Sequence, residues 1–331
     1  MNKKHLIEFF AITAIITAQS LASARPAAQV AKPKSPAAAQ ETDDQAKIDR
    51  YKRFTENRTS NPRAAYEAAR EYLQKYDKDK DQYVDYLRKW VALYEKEERR
   101  LRLPQLVYNE KKYEEGFAVG KQILAEEPDY LKALIDLGYA GYLASIDKNE
   151  TFNTESLAYA RRATQLIESG KAPETWAPFK GRDDALAQLY NAIAFFNLKA
   201  APNEAIEPLI KVAQLDSDLK KAPSTYYFLA RAYETGPYAK MSADYQKNFE
   251  GKPETTESKQ ALDKLNEIID RTIDAYARAV AAAGSDPKNA QNKATWFGRL
   301  TVLFTSTGTL ISPPDCFAFD YKRRGRKLSS L

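Results

Sequence analysis

The stretch YEEGFAVGKQILAEEPDYLKALIDLGYAGYL, residues 113–143, decides the fold. Its apolar and small residues recur at steps of three and four: Tyr113, Phe117, Gly120 and Leu124 before Pro128, then Leu131, Leu134, Leu137, Gly138 and Tyr142 after it. That spacing puts each set on one face of an α-helix. Proline lacks an amide proton and crowds the preceding turn, so Pro128 cannot lie inside a continuous helix. The segment reads as helix, break, helix. Gly120 and Gly138 fall on the apolar faces, where short side chains let two helices meet closely while large neighbours fill the gaps.

The same grammar extends outward in both directions. Leu87, Trp90, Val91 and Tyr94 form one large-residue stripe, Leu186, Leu189, Tyr190, Ile193 and Phe196 another, and Tyr226, Leu229, Ala230 and Tyr233 a third. Between them lie stripes of smaller residues: Ala65, Ala68 and Ala69; Ser156, Ala160 and Ala163; Ala205, Leu209 and Val212. Asn61-Pro62 and Asp286-Pro287 each place a capping side chain before a proline suited to a first helical turn. Pro128, Gly170 and Gly236-Pro237 read as stops. No segment alternates with period two between hairpin turns, so the fold class is all-α.

This pairing of a large-residue helix with a small-residue helix resembles the tetratricopeptide repeat, whose first helix carries a large residue, Leu-Gly and an aromatic. The resemblance covers roughly residues 60–305. Second helices are expected to start near residues 62, 111, 154, 202 and 260. Every interval exceeds the family's repeat of about 34 residues, and the extra residues are assigned to loops at 147–153, 170–182 and 235–257. The resemblance implies a right-handed superhelical solenoid of antiparallel helix pairs that binds an extended partner segment in its concave groove. In that register Tyr139, Tyr142, Tyr190, Asn197, Tyr227, Arg231 and Glu234 face the groove. The family's basic clamp for a terminal carboxylate is poorly matched, with only Arg231 and Arg88 at suitable places.

The two ends differ from the body. Lys3 and Lys4, the apolar run Phe9–Ala18 and Ala22-Ser23-Ala24 form a secretory leader, residues 1–24, expected to be cleaved after Ala24. The mature protein is then periplasmic or secreted. Residues 25–46, rich in Ala and Pro, read as a flexible spacer. The helical domain is expected over 47–305. Thr301 to Ser312 is rich in β-branched residues and is read as leaving the helical stripe; residues 306–331 form a basic tail, with Lys322, Arg323, Arg324, Arg326 and Lys327 offering contact to an anionic surface.

Composition excludes several chemistries. The one histidine, His5, lies in the leader, so the mature chain has no imidazole for a triad or a metal site. Cys316 is the sole cysteine, which precludes an intramolecular disulfide. The net charge of +6 is concentrated at the ends, leaving a body without the basic stripe of a nucleic-acid binder. Asp77, Asp79 and Asp81 space like a calcium loop, but Gln82 stands where the turn glycine belongs and Arg88 where the closing Glu belongs. Gly116 to Lys121 superficially matches a phosphate loop but lies inside a helix, has three residues between its glycines and lacks the hydroxyl residue. No cofactor, metal or catalytic residue is assigned, and the expectation is a non-catalytic protein-binding scaffold of the bacterial cell envelope. The alternative is an all-helical polysaccharide-active enzyme or glycan binder, since paired carboxylates work without histidine and tyrosines stack on sugars.

Overall fold

The computed structural model describes the backbone of residues 36–306 and the side chains of residues 43–305. The predicted leader, the first part of the spacer and the tail from residue 307 lie outside the described residues, Cys316 and the Lys322–Lys327 run included. All regular structure in the described residues is helical. The chain divides after Leu87 into two compact units.

The first unit contains α1 (Pro36–Asn57), α2 (Pro62–Tyr76) and the start of α3 (Gln82–Pro104). Asn61 caps α2 as the sequence predicts, its side chain accepting the Ala64 amide at 3.1 Å, with Pro62 in the first turn. Ala65, Ala68 and Ala69 are buried and let α2 lie close against α1, where Phe54 and Tyr72 fill the remaining space. The Asp77-to-Asp81 run is a salt-bridged helix junction. Lys47 of α1 reaches Asp79 at 2.5 Å and Asp81 at 2.7 Å, and Asp81 also accepts the amides of Tyr83 and Val84 to start α3. These bonds, Asp79 first, hold the Lys47 ammonium above its usual pKa.

The second unit holds the rest of α3, then α4 (Tyr113–Glu126), α5 (Leu131–Ile146), α6 (Asn153–Glu168), α7 (Arg182–Asn197), α8 (Pro202–Gln214), α9 (Pro223–Tyr233), α10 (Ala239–Phe249), α11 (Thr256–Ala283) and α12 (Ala290–Ser306). α5 packs on α6, α7 on α8 and, across the intervening α10, α9 on α11 most closely. The glycines fix the direction of the α5/α6 pair. Gly138 lies against Ala160 and Gly141 against Ser156, so the contact partner moves backward as α5 moves forward, and the two helices are antiparallel. Salt bridges at the surface join Lys121 of α4 to Glu155 of α6 at 2.7 Å and Arg161 of α6 to Glu204 of α8 at 2.5 Å. The first helices α5 and α7 meet through Tyr142 and Phe195, whose rings lie 5.2 Å apart. α5 is buried on nearly every side, including Leu134, Ile135, Leu137 and Ala140, as expected of a helix hydrophobic all round.

Three sequence expectations are corrected. First, α1 begins at Pro36, inside the stretch read as spacer. Its alanines and glutamines have high helix propensity, and Asp43 anchors the helix through Lys75 and the Tyr76 hydroxyl. Second, Gly236-Pro237 does not stop a helix, and 235–257 is not a simple loop. Residues Glu234–Tyr238 form a π-turn that leads directly into α10. The Ala239 amide skips back to the Glu234 carbonyl, and the wider turn accommodates a proline that has no amide to donate. Gly236 is required there, because a Cβ would sit 2.4 Å from the Asn203 side-chain oxygen. Third, the helical stripe does not end at Thr301. α12 continues to Ser306, with Trp296, Leu300, Leu303 and Phe304 all buried; β-branched residues lower helix propensity only slightly, and burial overrides it. Gly170 acts as the predicted stop, at φ +92 after α6. Asp286 caps the short turn Pro287–Asn289 that opens into α12.

Candidate binding surface

The seven predicted groove residues all lie on first helices or, for Glu234, immediately after one, but they do not converge on one site. Tyr139 and Tyr142 of α5 join an aromatic group. Tyr139 lies 5.4 Å from Phe179 and 5.6 Å from Tyr142 between ring centroids, and Tyr142 continues edge-on to Phe195. Tyr108, from a π-turn that ends α3, contacts both Tyr139 and Phe179. The group is half-buried, and burial pushes the Tyr139 hydroxyl up to about 12. Edge-to-face contacts of this kind stabilise packing, while the outward edges of Tyr142 and Phe195 remain accessible.

Tyr190 and Asn197 are turned elsewhere. Tyr190 is buried and donates its hydroxyl to Glu168 of α6 at 2.5 Å, while Lys211 of α8 donates to the same hydroxyl at 3.0 Å. It therefore faces α6 and α8. The Tyr190 bond is the main reason the Glu168 carboxyl lies below its usual range. Asn197 is buried and returns its amide to the Ile193 carbonyl of its own helix at 2.8 Å. Both positions satisfy the 3.6-residue pattern, but neither is open to a guest.

The remaining three, Tyr227, Arg231 and Glu234, come together in a second cluster with residues of α11 and α12. Tyr227 stacks on Trp296 at 5.1 Å with an interplanar angle of 24°. Glu234 is buried, accepting the Tyr276 hydroxyl at 2.7 Å, Arg231 at 3.2 Å and Arg299 at 2.6 Å. Burial, then the bond to Glu234, raises the Tyr276 hydroxyl well above its ordinary pKa.

Sequence reasoning missed a third polar feature. Asp136, fully buried in α5, is ion-paired with Lys132 one turn earlier and accepts the Tyr108 hydroxyl at 2.9 Å. Its other oxygen, Oδ2, has no hydrogen-bond partner among the described residues. Burial outweighs Lys132 and Tyr108 and raises the Asp136 carboxyl above its usual value. The signal was legible: two opposite charges four residues apart in a helix otherwise apolar on every face. Trp296 and Arg299 had no such signal, because the C-terminal helix departs from the repeat pattern.

A wide-mouthed depression also lies between the α4–α5 and α6–α7 connections, lined by Glu127, Pro128, Asp129, Tyr130, Lys171 and Glu174. Several of its charges are already engaged, Glu127 by Lys96 and Arg100 and Asp129 by Arg162 and Lys171. Among the described residues no group of His, Cys, Asp and Glu is placed to hold a metal ion, and no helix is long and apolar enough to cross a membrane. Compared with known protein families, curated proteins and solved structures, the chain matches none.

Proposed function

We propose that the protein is an exported, non-catalytic scaffold of tetratricopeptide type, acting in the bacterial cell envelope by holding an extended segment of another protein. In this reading the helix pairs of residues 88–306 continue one another as a right-handed superhelical solenoid, and the first helices line its concave face. The observation that carries the proposal is the succession of packed helix pairs α5/α6, α7/α8 and α9/α11, the first of them antiparallel, with salt bridges joining α4 to α6 and α6 to α8 and with α5 in contact with α7. In this reading the first helices offer one continuous face, the surface that repeat proteins present to extended partners. Tyr142, Phe195 and Tyr227 on that face are large, amphipathic or apolar, and only partly buried, suiting contact with a peptide at low entropy cost.

Site-specific photo-crosslinking in cells tests the reading. A photoreactive residue at Tyr142 or Tyr227 is expected to capture one defined protein partner, while the same residue at Lys121 or Arg161, on the second helices, captures none. Equal capture from both faces, or none from either, refutes the groove.

A further inference from the structure

We propose that the rings of Tyr108 and Phe179 form a lid over Asp136, closed while that carboxyl is protonated and opened by its ionisation. The inference stands independently of what the first-helix face binds.

Asp136 shares one face of α5 with Lys132, a turn before it, and Tyr139, a turn after it. Tyr139 is half-buried, yet Lys132 is buried and Asp136 has no exposure at all. Tyr108, on the π-turn Gln105–Asn109, donates its hydroxyl to Asp136 at 2.9 Å, and the Lys132 ammonium lies 5.8 Å from the centre of its ring. Phe179, from the α6–α7 connection, meets Tyr108 edge-on at 6.3 Å and Tyr139 at 5.4 Å. Tyr108 thus touches the buried pair and Phe179 backs Tyr108. Both rings are themselves only half-buried, so the cover is one or two side chains thick.

The other faces of α5 are closed differently. Gly138 lies against the Ala160 backbone, Gly141 against Ser156, and Gly120 of α4 against Leu137. Helices packed this closely separate only as wholes. Buried Leu106 and Val107 pin the π-turn, so opening on the remaining side is a rotation of the Tyr108 side chain with Phe179 following it.

The driving force is an unmatched oxygen. Oδ1 takes Lys132 and Tyr108, while Oδ2 has no partner among the described residues. Such an atom is far more costly to bury on a charged carboxylate than on a neutral acid. Burial accordingly raises the carboxyl, against the opposing pull of Lys132 and then Tyr108. The Tyr108 hydroxyl, raised by its own burial and then by Asp136, stays a donor throughout. From α7, Asp184 acts on Tyr139, and α4 and α6 meet α5 through the small residues named above. Rotating the lid admits water to Oδ2, and the carboxyl returns toward its ordinary range. Each unit of elevation lost on opening makes the open state about tenfold more populated above the raised value than below the ordinary one.

Fluorine NMR of the purified full-length chain tests the lid, with 4-fluorophenylalanine placed singly at Phe179 and, as a reference, at Phe304, which is buried in α12. The difference in fluorine shift between H2O and D2O reports contact with water. At Phe179 it is expected to grow at least about twofold as pH rises from 4 to 8 and then to level off, while at Phe304 it stays constant. Asp136→Asn removes the titration, and the Phe179 signal is then expected to be independent of pH. A Phe179 signal that is flat in the unaltered chain overturns the lid, as does a rise that persists in folded Asp136→Asn. Equal growth at both positions means general loosening and overturns it too. Should Asp136→Asn not fold, the comparison of the two fluorine positions in the parent chain still decides.

Discussion

Replacing glycines by alanine one at a time gives a direct measure of how closely the helices are packed, because the structure predicts effects of opposite sign from the same chemical change. In a helix interior, Gly→Ala gains about 0.5–1 kcal/mol from backbone entropy. At Gly298, on the exposed face of α12, an added Cβ meets nothing within 4 Å, so the full gain should appear. At Gly138 the Cβ would lie 2.8 Å from the Cα and N of Ala160. Those are backbone atoms with no rotamer to adjust, and α5 and α6 must move apart. Overpacking of this kind costs about 1–3 kcal/mol, leaving Gly138→Ala a net loss of roughly 0–2.5 kcal/mol after the propensity gain. Gly141 faces Ser156, with the added Cβ 2.1 Å from its Oγ; that hydroxyl also donates to the Leu137 carbonyl at 2.9 Å, and the bond would be lost. Gly141→Ala should therefore lose a similar amount. Adding Ser156→Gly should recover part of it, with a coupling of about 0.5–3 kcal/mol as expected for residues in contact. Gly120 meets only the end of the Leu137 side chain, at 2.6 Å, and should fall between the extremes. Urea denaturation followed by far-ultraviolet circular dichroism measures all four, with the slope checked for constancy. If Gly138→Ala proves as stable as Gly298→Ala, the α5/α6 contact described above is wrong.

Breaking the buried Lys132–Asp136 pair from one side, by Asp136→Ala, should cost about 3–5 kcal/mol, whereas the double change Lys132→Met with Asp136→Leu should be neutral or stabilising by about 1–4 kcal/mol; denaturant titration distinguishes these, and a double variant worse than the single one refutes the argument. Because the Asp136 carboxyl is raised in the folded state, folded protein holds its proton more tightly than unfolded protein, so this group's contribution to stability falls as pH rises from the ordinary carboxylate range through the raised value. The stability of the unaltered chain relative to Asp136→Asn should fall over that interval and be flat above it, measured as urea midpoints from pH 4 to 8. Glu168 titrates in the opposite sense, its carboxyl lowered chiefly by Tyr190, so the stability it contributes is present above the ordinary carboxylate range and is lost as pH falls through its lowered value. Tyr190→Phe should cost about 0.5–1.5 kcal/mol and leave crosslinking from Tyr142 unchanged; an effect on partner capture would return Tyr190 to the groove. Leu303→Ala should cost about 2–5 kcal/mol if α12 is packed through its last turn, and a change within 0.5 kcal/mol would argue against that packing.

Much of the helix order was legible because it depends on local chemistry. Second helices were expected near residues 62, 111, 154, 202 and 260, and α2, α4, α6, α8 and α11 begin at Pro62, Tyr113, Asn153, Pro202 and Thr256. Proline, capping residues and the 3.6-residue period all act within a few residues of where they are read. The errors came where a long-range contact outvoted a local signal. Gly236-Pro237 is a stop in isolation, but the π-turn carries the chain directly into α10 there. Likewise Pro36 to Ala46 carries no apolar stripe, and its helix is secured by Asp43 and Lys47 bonding to α2 and the junction after it.

The candidate surface was less legible for a different reason. Periodicity says which residues share a face of one helix, but not which neighbour covers that face. Tyr190 and Tyr142 are alike in sequence, each a tyrosine in a first-helix stripe. What separates them is Lys211, a residue on α8 that donates to the Tyr190 hydroxyl, whereas Tyr142 packs against the rings of Tyr139 and Phe195. The Arg231–Glu234–Arg299 cluster shows the same dependence over a longer range, since Arg299 stands 65 residues from the glutamate it binds. A helical array places its packing in the local pattern and its recognition chemistry in contacts between pairs. Sequence reading therefore finds the helices and leaves undetermined which of their tyrosines and arginines face a guest.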